Sequence, residues 1–260
     1  MKFIHITDPH LVPRGERLFD LDPFERLEQC IANINRFHAD AAFAIVTGDL
    51  ADAGHPLAYR ALRKAFGKLR LQTHFLLGNH DNRRHFVAEF PESPRDAGGF
   101  VQFTLDTAIG RFICLDTNEP RVPWGVLCAD RLAWLGAELD RARDLPVYLF
   151  MHHPPFPVGL KRMDEISLQQ PERFAAVVAK HGNIRHLFFG HLHRPIGGSW
   201  RGIPFTTMRA TNHQVALDFE MAGVVPGSHE PPAYAIVLAD PELTVVHFHD
   251  FLDRTNTFIL

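Results

Sequence analysis

Five apolar runs in this 260-residue chain each stop abruptly at a short cluster of Asp, Asn, His and Gly. Residues 2–7 end in Asp8-Pro9-His10, residues 42–47 in Gly48-Asp49, and residues 73–77 in Gly78-Asn79-His80-Asp81. Val147–Met151 delivers His152-His153-Pro154-Pro155, and Ile184–Phe189 delivers Gly190-His191-Leu192-His193. Short β-rich runs that break into polar residues read as buried strands feeding loops. Ligands of open α/β sheets bind beyond the carboxyl ends of strands. If these strands lie side by side, Asp8, His10, Asp49, Asn79, His152, His191 and His193 converge at one sheet edge.

The segments between the runs have helical spacing. Asp22-Pro23 offers an N-cap and a first-turn proline to a helix carrying Phe24, Leu27, Ile31, Ile34 and Phe37 on one side. Pro56 opens a second helix with Leu62, Ala65, Phe66 and Leu69, and a third contains Leu132, Leu135 and Leu139. Pro171 opens a fourth through Phe174, Val177 and Val178, with Gly182 placed as its C-terminal cap. Two more strands, 101–106 and 111–116, flank a short turn at Ala108-Ile109-Gly110. Alternating strand and helix predict a layered α/β fold.

From about residue 201 onward the chain is strand-rich, with runs at 203–208, 214–219, 233–238 and 244–248 and a surface loop expected at 223–232. No linker divides it, so one domain over 1–260 is expected, with about 1–200 as the core carrying the polar clusters. The tail, 201–260, is expected to cover the pocket or form an oligomer contact through Phe205, Phe219, Phe248, Phe251 and Phe258.

Composition narrows the partners. The net charge of -3 gives no broad attraction for nucleic acid or anionic membrane, so attraction for an anionic substrate has to be local. Cys30, Cys114 and Cys128 are too few for a disulfide framework or a thiolate zinc site. The N-terminus resembles neither a secretory signal nor a membrane span, so a cytoplasmic location is expected.

Each cluster alone has a structural explanation. Asp8-Pro9-His10 suits an Asx-type turn, Gly48-Asp49 is common in loops, and Asn79-His80-Asp81 suits the cap of a helix starting near Asn82. His152-His153-Pro154-Pro155 serves no obvious packing purpose, and His191 and His193 point the same way in an extended loop. Together, imidazoles, carboxylates and one amide suit Zn, Mn, Fe or Co, and seven ligands are about right for two ions sharing a bridge. The amide of Asn79 adds no charge, which leaves a positive remainder for a phosphodiester.

These blocks, in this order, resemble the calcineurin-like metallophosphoesterase superfamily, and most closely its bacterial class III cyclic-nucleotide phosphodiesterases and glycerophosphodiesterases. The resemblance covers about three quarters of the chain and misses no block. It implies a four-layer αββα sandwich, with one divalent ion (Mn, Fe, Zn or Co) held by Asp8, His10, Asp49 and His193. It further implies a second ion held by Asn79, His152 and His191, with Asp49 as the bridge. Because that second site has no carboxylate of its own, it is expected to bind more weakly. The pattern favours His152 over His153 as ligand and leaves His153 behind the ligands or facing substrate. His80 would be the catalytic histidine, oriented by Asp81, and Asn212 and His213 would line the substrate pocket.

The implied reaction is in-line attack of metal-bound hydroxide on a small phosphodiester, a cyclic nucleotide or a glycerophosphodiester. A monoesterase or nuclease would use the same cage, and a non-catalytic scaffold should show gaps in it. No nucleic-acid polymer or membrane partner is expected, and a homo-oligomer is. Arg83 and Arg84 either bring a guanidinium to the substrate or form a solvated first helical turn, while His247 and His249 read as exposed or interface residues.

Overall fold

The computed structural model describes residues 1–220, 223–255 and 258–259. Its first half runs β1 (Lys2–Ile6), α1 (Pro23–Phe37), β2 (Ala44–Thr47), α2 (Pro56–Phe66), β3 (Thr73–Leu76), α3 (Arg83–Glu89), β4 (Phe103–Thr107), β5 (Gly110–Cys114) and α4 (Ala129–Arg141). There follow β6 (Val147–Met151), α5 (Lys161–Glu165), α6 (Pro171–Val178), β7 (Ile184–Phe189), β8 (Ile196–Trp200) and β9 (Ile203–Thr207). The last strands are β10 (Gln214–Val215), β11 (Gly227–Ser228), β12 (Ala233–Ala239) and β13 (Thr244–Asp250).

Helix starts follow local chemistry. The Asp22 carboxylate accepts the Phe24 and Glu25 amides ahead of α1, and Pro23 sits where no amide donor is needed. His55 caps α2 by accepting the Leu57 amide, and Asn82 caps α3 by accepting that of His85.

The strands form two main sheets, β13-β12-β1-β2-β3 and β4-β5-β6-β7-β9-β8, with β10-β11 as a separate pair. Alternation along each strand sorts side chains into layers. Ile4, Ile6, Ala44 and Val46 face Leu27, Ile31 and Ile34 of α1 and Leu62 of α2. On the other side of the molecule, Ile113, Leu149 and Leu187 face Leu135 and Leu139 of α4 and Phe174 of α6. Between the sheets lies an aromatic core containing Phe3, Ile45, Leu76, Phe112, Phe150 and Phe188. Deleting one such ring costs about 3–5 kcal/mol. The order is helix, sheet, sheet, helix, the expected αββα sandwich.

Strands β1-β2-β3 run parallel to one another, as do β5-β6-β7. The carboxyl ends of β1, β2, β3, β6 and β7 therefore carry all five polar clusters.

The tail contributes to both sheets and to a cavity. β9 pairs with β7, and β12 inserts beside β1, so these tail strands extend both sheets, while residues 213–215 and 227–229 of the tail line the cavity over the strand ends. Phe251 is buried and Phe205 packs on the second core, while Phe219, Phe248 and Phe258 are exposed. The loop at 223–232 contains β11, and only Gln214–Val215 of the run 214–219 is strand. β8 was not anticipated, because its Gly197 and Gly198 carry no β signal; the Phe205 ring packs onto Gly198, leaving no room for a side chain. Gly182 is not a cap either, since α6 ends at Val178 with Ala179 following. Among the described residues, no helix is long and apolar enough to cross a membrane.

Candidate metal centre

The loops after the parallel strands stay zipped beyond the sheets. Asp8 and His10 amides donate to the Gly48 and Asp49 carbonyls, and the Gly190 amide donates to the His152 carbonyl. The zipping bends the chain sharply. Of ten described non-glycine residues with positive φ, five are Asp8, His10, Asp49, His191 and His193. Left-handed backbone at such residues costs about 1–3 kcal/mol each and concentrates where surroundings enforce a functional geometry. Gly78 is required by proximity, since a Cβ there would lie 2.2 Å from an Asp49 oxygen.

All seven residues predicted as ligands meet at one place. Asp8, His10, Asp49 and His193 bring one ligand atom each within 4.8 Å of one another, all buried. Nε2 of His10 lies 3.2 Å from Nε2 of His193 and 3.4 Å from Asp49 Oδ2, and His193 Nε2 lies 3.4 Å from Asp8 Oδ1. On the other side of Asp49, His152 Nε2 lies 3.4 Å from Oδ2 and 3.2 Å from Asn79 Oδ1. The His191 ring is 5.1 Å from that of His152.

Hydrogen-bond bookkeeping shows what this cluster lacks. His10 Nδ1 donates to Asp52 Oδ1 at 3.0 Å, His193 Nδ1 to the His213 carbonyl at 2.9 Å, and His152 Nδ1 to the Thr47 carbonyl at 2.7 Å. With each Nδ1 hydrogen committed, a ring in the neutral form that binds metal turns a bare Nε2 lone pair toward carboxylate and amide oxygens that also only accept. Nε2 of His191 is buried without a partner. Lone pairs converging without donors repel unless a cation lies among them, so this donor set fits divalent ions.

The titration tendencies agree with a site built for positive charge. Burial alone would raise the Asp49 carboxyl, but His152, His80 and His10 outweigh it and hold it well below the usual carboxylate range. Burial likewise opposes protonation of His152, yet Asp49 and Asp8 raise its pKa to about 9. In His10, His191 and His213 burial prevails and the imidazoles shift down.

His80 stands beside the cage. Its amide donates to Asp49 Oδ1 at 2.8 Å, and its ring lies 4.7 Å from that of His10. The expected orientation by Asp81 is not what the structure has. The Asp81 carboxylate accepts the Gly78, Leu50 and Ala51 amides and the Tyr59 hydroxyl, so it braces the loop and has nothing left for a ring. His80 Nδ1 donates instead to the Asp52 carbonyl at 2.6 Å, with the Asp52 carboxylate 3.6 Å away. Asp52 thus holds both His10 and His80, a role the sequence reading missed. Its place in the same loop, three residues after Asp49, was the available signal.

A cavity of about 560 Å³ opens over the centre. His80, Asp49, Asn79 and His193 line its polar floor, and Phe19, Met163, Ile166, Val215 and Val225 its apolar walls. His213 lines it too, its ring 4.6 Å from Phe19. Asn212 and His153 do not. Asn212 is wholly buried, and His153 lies behind the centre with Nδ1 2.8 Å from Thr117 Oγ1 and its ring 4.7 Å from that of His191. The expected substrate contact of Asn212 is therefore corrected, and of the two alternatives for His153 the structure has the one behind the ligands. Arg83 is not near the cavity either: it pairs through two bonds with the buried Asp116, while Arg84 is exposed.

Asn118, also missed, donates its amide to the Gly78 and Asp81 carbonyls and so steadies the loop bearing Asn79 and His80. Nothing in its sequence surroundings marks it.

Comparison with known proteins gives a consistent picture. The family model "Calcineurin-like phosphoesterase" matches residues 1–195. The chain is 48% identical, over 97% of its length and 93% of the relative's, to a "Probable cyclic nucleotide phosphodiesterase" of Rhodopseudomonas palustris. It is 30% identical to a "Probable glycerophosphodiester phosphodiesterase GpdQ" of Arcobacter nitrofigilis, over 90% of this chain and 86% of that one. Among solved structures, a dimetal phosphatase from Danio rerio superimposes with a TM-score of 0.72 at 16% identity, covering 97% of this chain and 96% of that one.

Proposed function

The chain belongs to the calcineurin-like phosphoesterase family of hydrolases, and we propose that within it this protein is a binuclear metal-dependent phosphodiesterase. Its substrate is a small phosphodiester, a cyclic nucleotide or a glycerophosphodiester. The observation that carries the reading is the convergence of acceptor-only atoms about Asp49 Oδ2, 3.4 Å from His10 Nε2 on one side and from His152 Nε2 on the other.

Asp8, His10, Asp49 and His193 would hold one ion, and Asn79, His152 and His191 the other, with Asp49 between. When bound, such ions offset phosphoryl charge and lower the pKa of a water molecule.

The chain's own residues supply the remainder. Asp52 fixes His10 with Nε2 inward and holds His80 at the cavity floor. His80, with Nδ1 donating to the Asp52 carbonyl, keeps Nε2 for the substrate. In its protonated form it donates there to a phosphoryl or leaving-group oxygen. The apolar walls at Phe19, Met163 and Ile166 exclude water and suit a compact, partly apolar substituent. The net charge of -3 disfavours a polyanionic polymer.

Cyclic AMP, glycerophosphocholine and a simple phosphomonoester, assayed side by side on metal-loaded protein, test this reading. Turnover of at least one diester above the monoester supports it. Preference for the monoester overturns it.

A further inference from the structure

A buried chain of hydrogen bonds leads away from Asp8 into the space between the sheets. Thr7 Oγ1 donates to Asp8 Oδ2 at 2.6 Å, Thr47 Oγ1 donates to Thr7 Oγ1 at 2.7 Å, and His5 Nε2 lies 2.9 Å from Thr47 Oγ1. His5 and Thr7 follow Phe3 on one face of β1, and Thr47 follows Ile45 on the same face of β2, because alternate residues of a strand share a face. His5, Thr7, Thr47 and Asp8 are all buried, with His5 edge-on to Phe150 and Phe188.

The direction of the chain is forced. A carboxylate only accepts, so the Thr7 hydrogen goes to Asp8. Thr47 then spends its hydrogen on Thr7, and His5 must present Nε2–H to Thr47. Burial among aromatic rings keeps the imidazole neutral, lowering its pKa to about 3 against the pull of Asp8. Aligned donors of this kind polarise one another in a low-dielectric interior. A Cβ on Gly190 would lie 2.4 Å from Thr7 Oγ1 and 2.6 Å from the Thr47 carbonyl, so the chain is packed closely against the Gly190 backbone.

The His191 amide reaches both Asp8 oxygens, Oδ1 at 3.2 Å and Oδ2 at 3.1 Å, and only the Thr7 hydroxyl distinguishes them. We propose that the His5–Thr47–Thr7 chain is a positioning device for Asp8, adding a bond at Oδ2 so that Oδ1, 3.4 Å from His193 Nε2, is the oxygen offered to the metal. His5 is its anchoring donor. The inference rests on the reading of Asp8 as a metal ligand. Outer groups that orient ligands typically change metal affinity by about 10–100-fold.

The test titrates Mn²⁺ calorimetrically into metal-stripped full-length protein and its variants, with circular dichroism and thermal melting as checks of folding. His5→Phe, which removes the donor, should weaken the tighter site about 10–100-fold. His5→Gln, which keeps an N–H at the position of Nε2, should stay within a few-fold of wild type. Thr47→Val should match His5→Phe, and the double variant should lose no more than either alone. Thr47→Val carries the test by itself if His5→Phe does not fold. Wild-type affinity in a folded His5→Phe or Thr47→Val protein overturns the inference, as does equal loss in His5→Gln and His5→Phe. A wild-type protein that takes up no Mn²⁺ overturns the metal reading itself, a result distinct from either of these.

Discussion

Asp49 Oδ2 lies 3.4 Å from His152 Nε2, and His10 Nε2 lies at the same distance from that same oxygen. One carboxylate oxygen thus separates two groups of lone pairs, each drawn from the strand ends of both sheets. Asp49→Ala should therefore remove both ions, whereas Asn79→Ala should remove only one. Elemental analysis of the dialysed variants checks this; retention of one full equivalent in Asp49→Ala would show that Asp49 is not the bridge.

His80 touches the cage through its amide and through the edge-on contact of its ring with His10, and the same ring lines the cavity. His80→Ala is expected to lower kcat about 10²–10⁴-fold, the range for a lost general acid or base, with both ions retained. Steady-state kinetics paired with metal analysis separates this from a ligand defect. Unchanged kcat would remove His80 from the chemistry.

Asp52 accepts His10 Nδ1 through its side chain and His80 Nδ1 through its backbone. Asp52→Ala should weaken the ion held by His10 about 10–100-fold and leave the ion held by His152 untouched, because His152 is fixed by the Thr47 carbonyl. Metal titration monitored at both sites reads the difference, and equal weakening of the two would count against this division of labour.

His186, stacked on Phe188 with Nε2 3.0 Å from Thr206 Oγ1, has its pKa lowered by burial from 6.5 to about 4. The unfolded chain therefore binds more protons than the folded one between these values. Its contribution to stability is complete above pH 6.5 and is lost as pH falls toward 4, about 3 kcal/mol in all. Denaturant unfolding of metal-free protein should show a shallower loss in His186→Gln between pH 7 and pH 4.5. Parallel pH profiles would contradict the linkage.

Much of this site was legible in the sequence because strand ends are local events. Apolar runs that break into Asp8, Asp49, Asn79, His152 and His191 announce both the strand and what it delivers. Parallel pairing then makes their sequence separations irrelevant. What escaped was everything set by three-dimensional contact. Asp81 reads as a partner for His80, yet four donors claim its carboxylate. Arg83 reads either as a substrate contact or as part of a solvated first turn, yet it is neither, because Asp116, a residue of no marked pattern, captures it. Part of the tail does reach the cavity, at His213 and His229, but edge and central strands carry similar residues, so only the register of β12 with β1 shows that other parts extend the sheet.

The two halves of the centre are unequal. One has Asp8 in addition to Asp49, and the other has only the amide of Asn79 and the imidazoles of His152 and His191. Metal titration into stripped wild-type protein, followed by calorimetry together with hydrolysis of a phosphodiester, tests this arrangement most directly. The expected result is two ions per chain taken up in two separated steps, with hydrolysis rising on the second. A single ion, two indistinguishable tight sites, or full activity after the first step would contradict it.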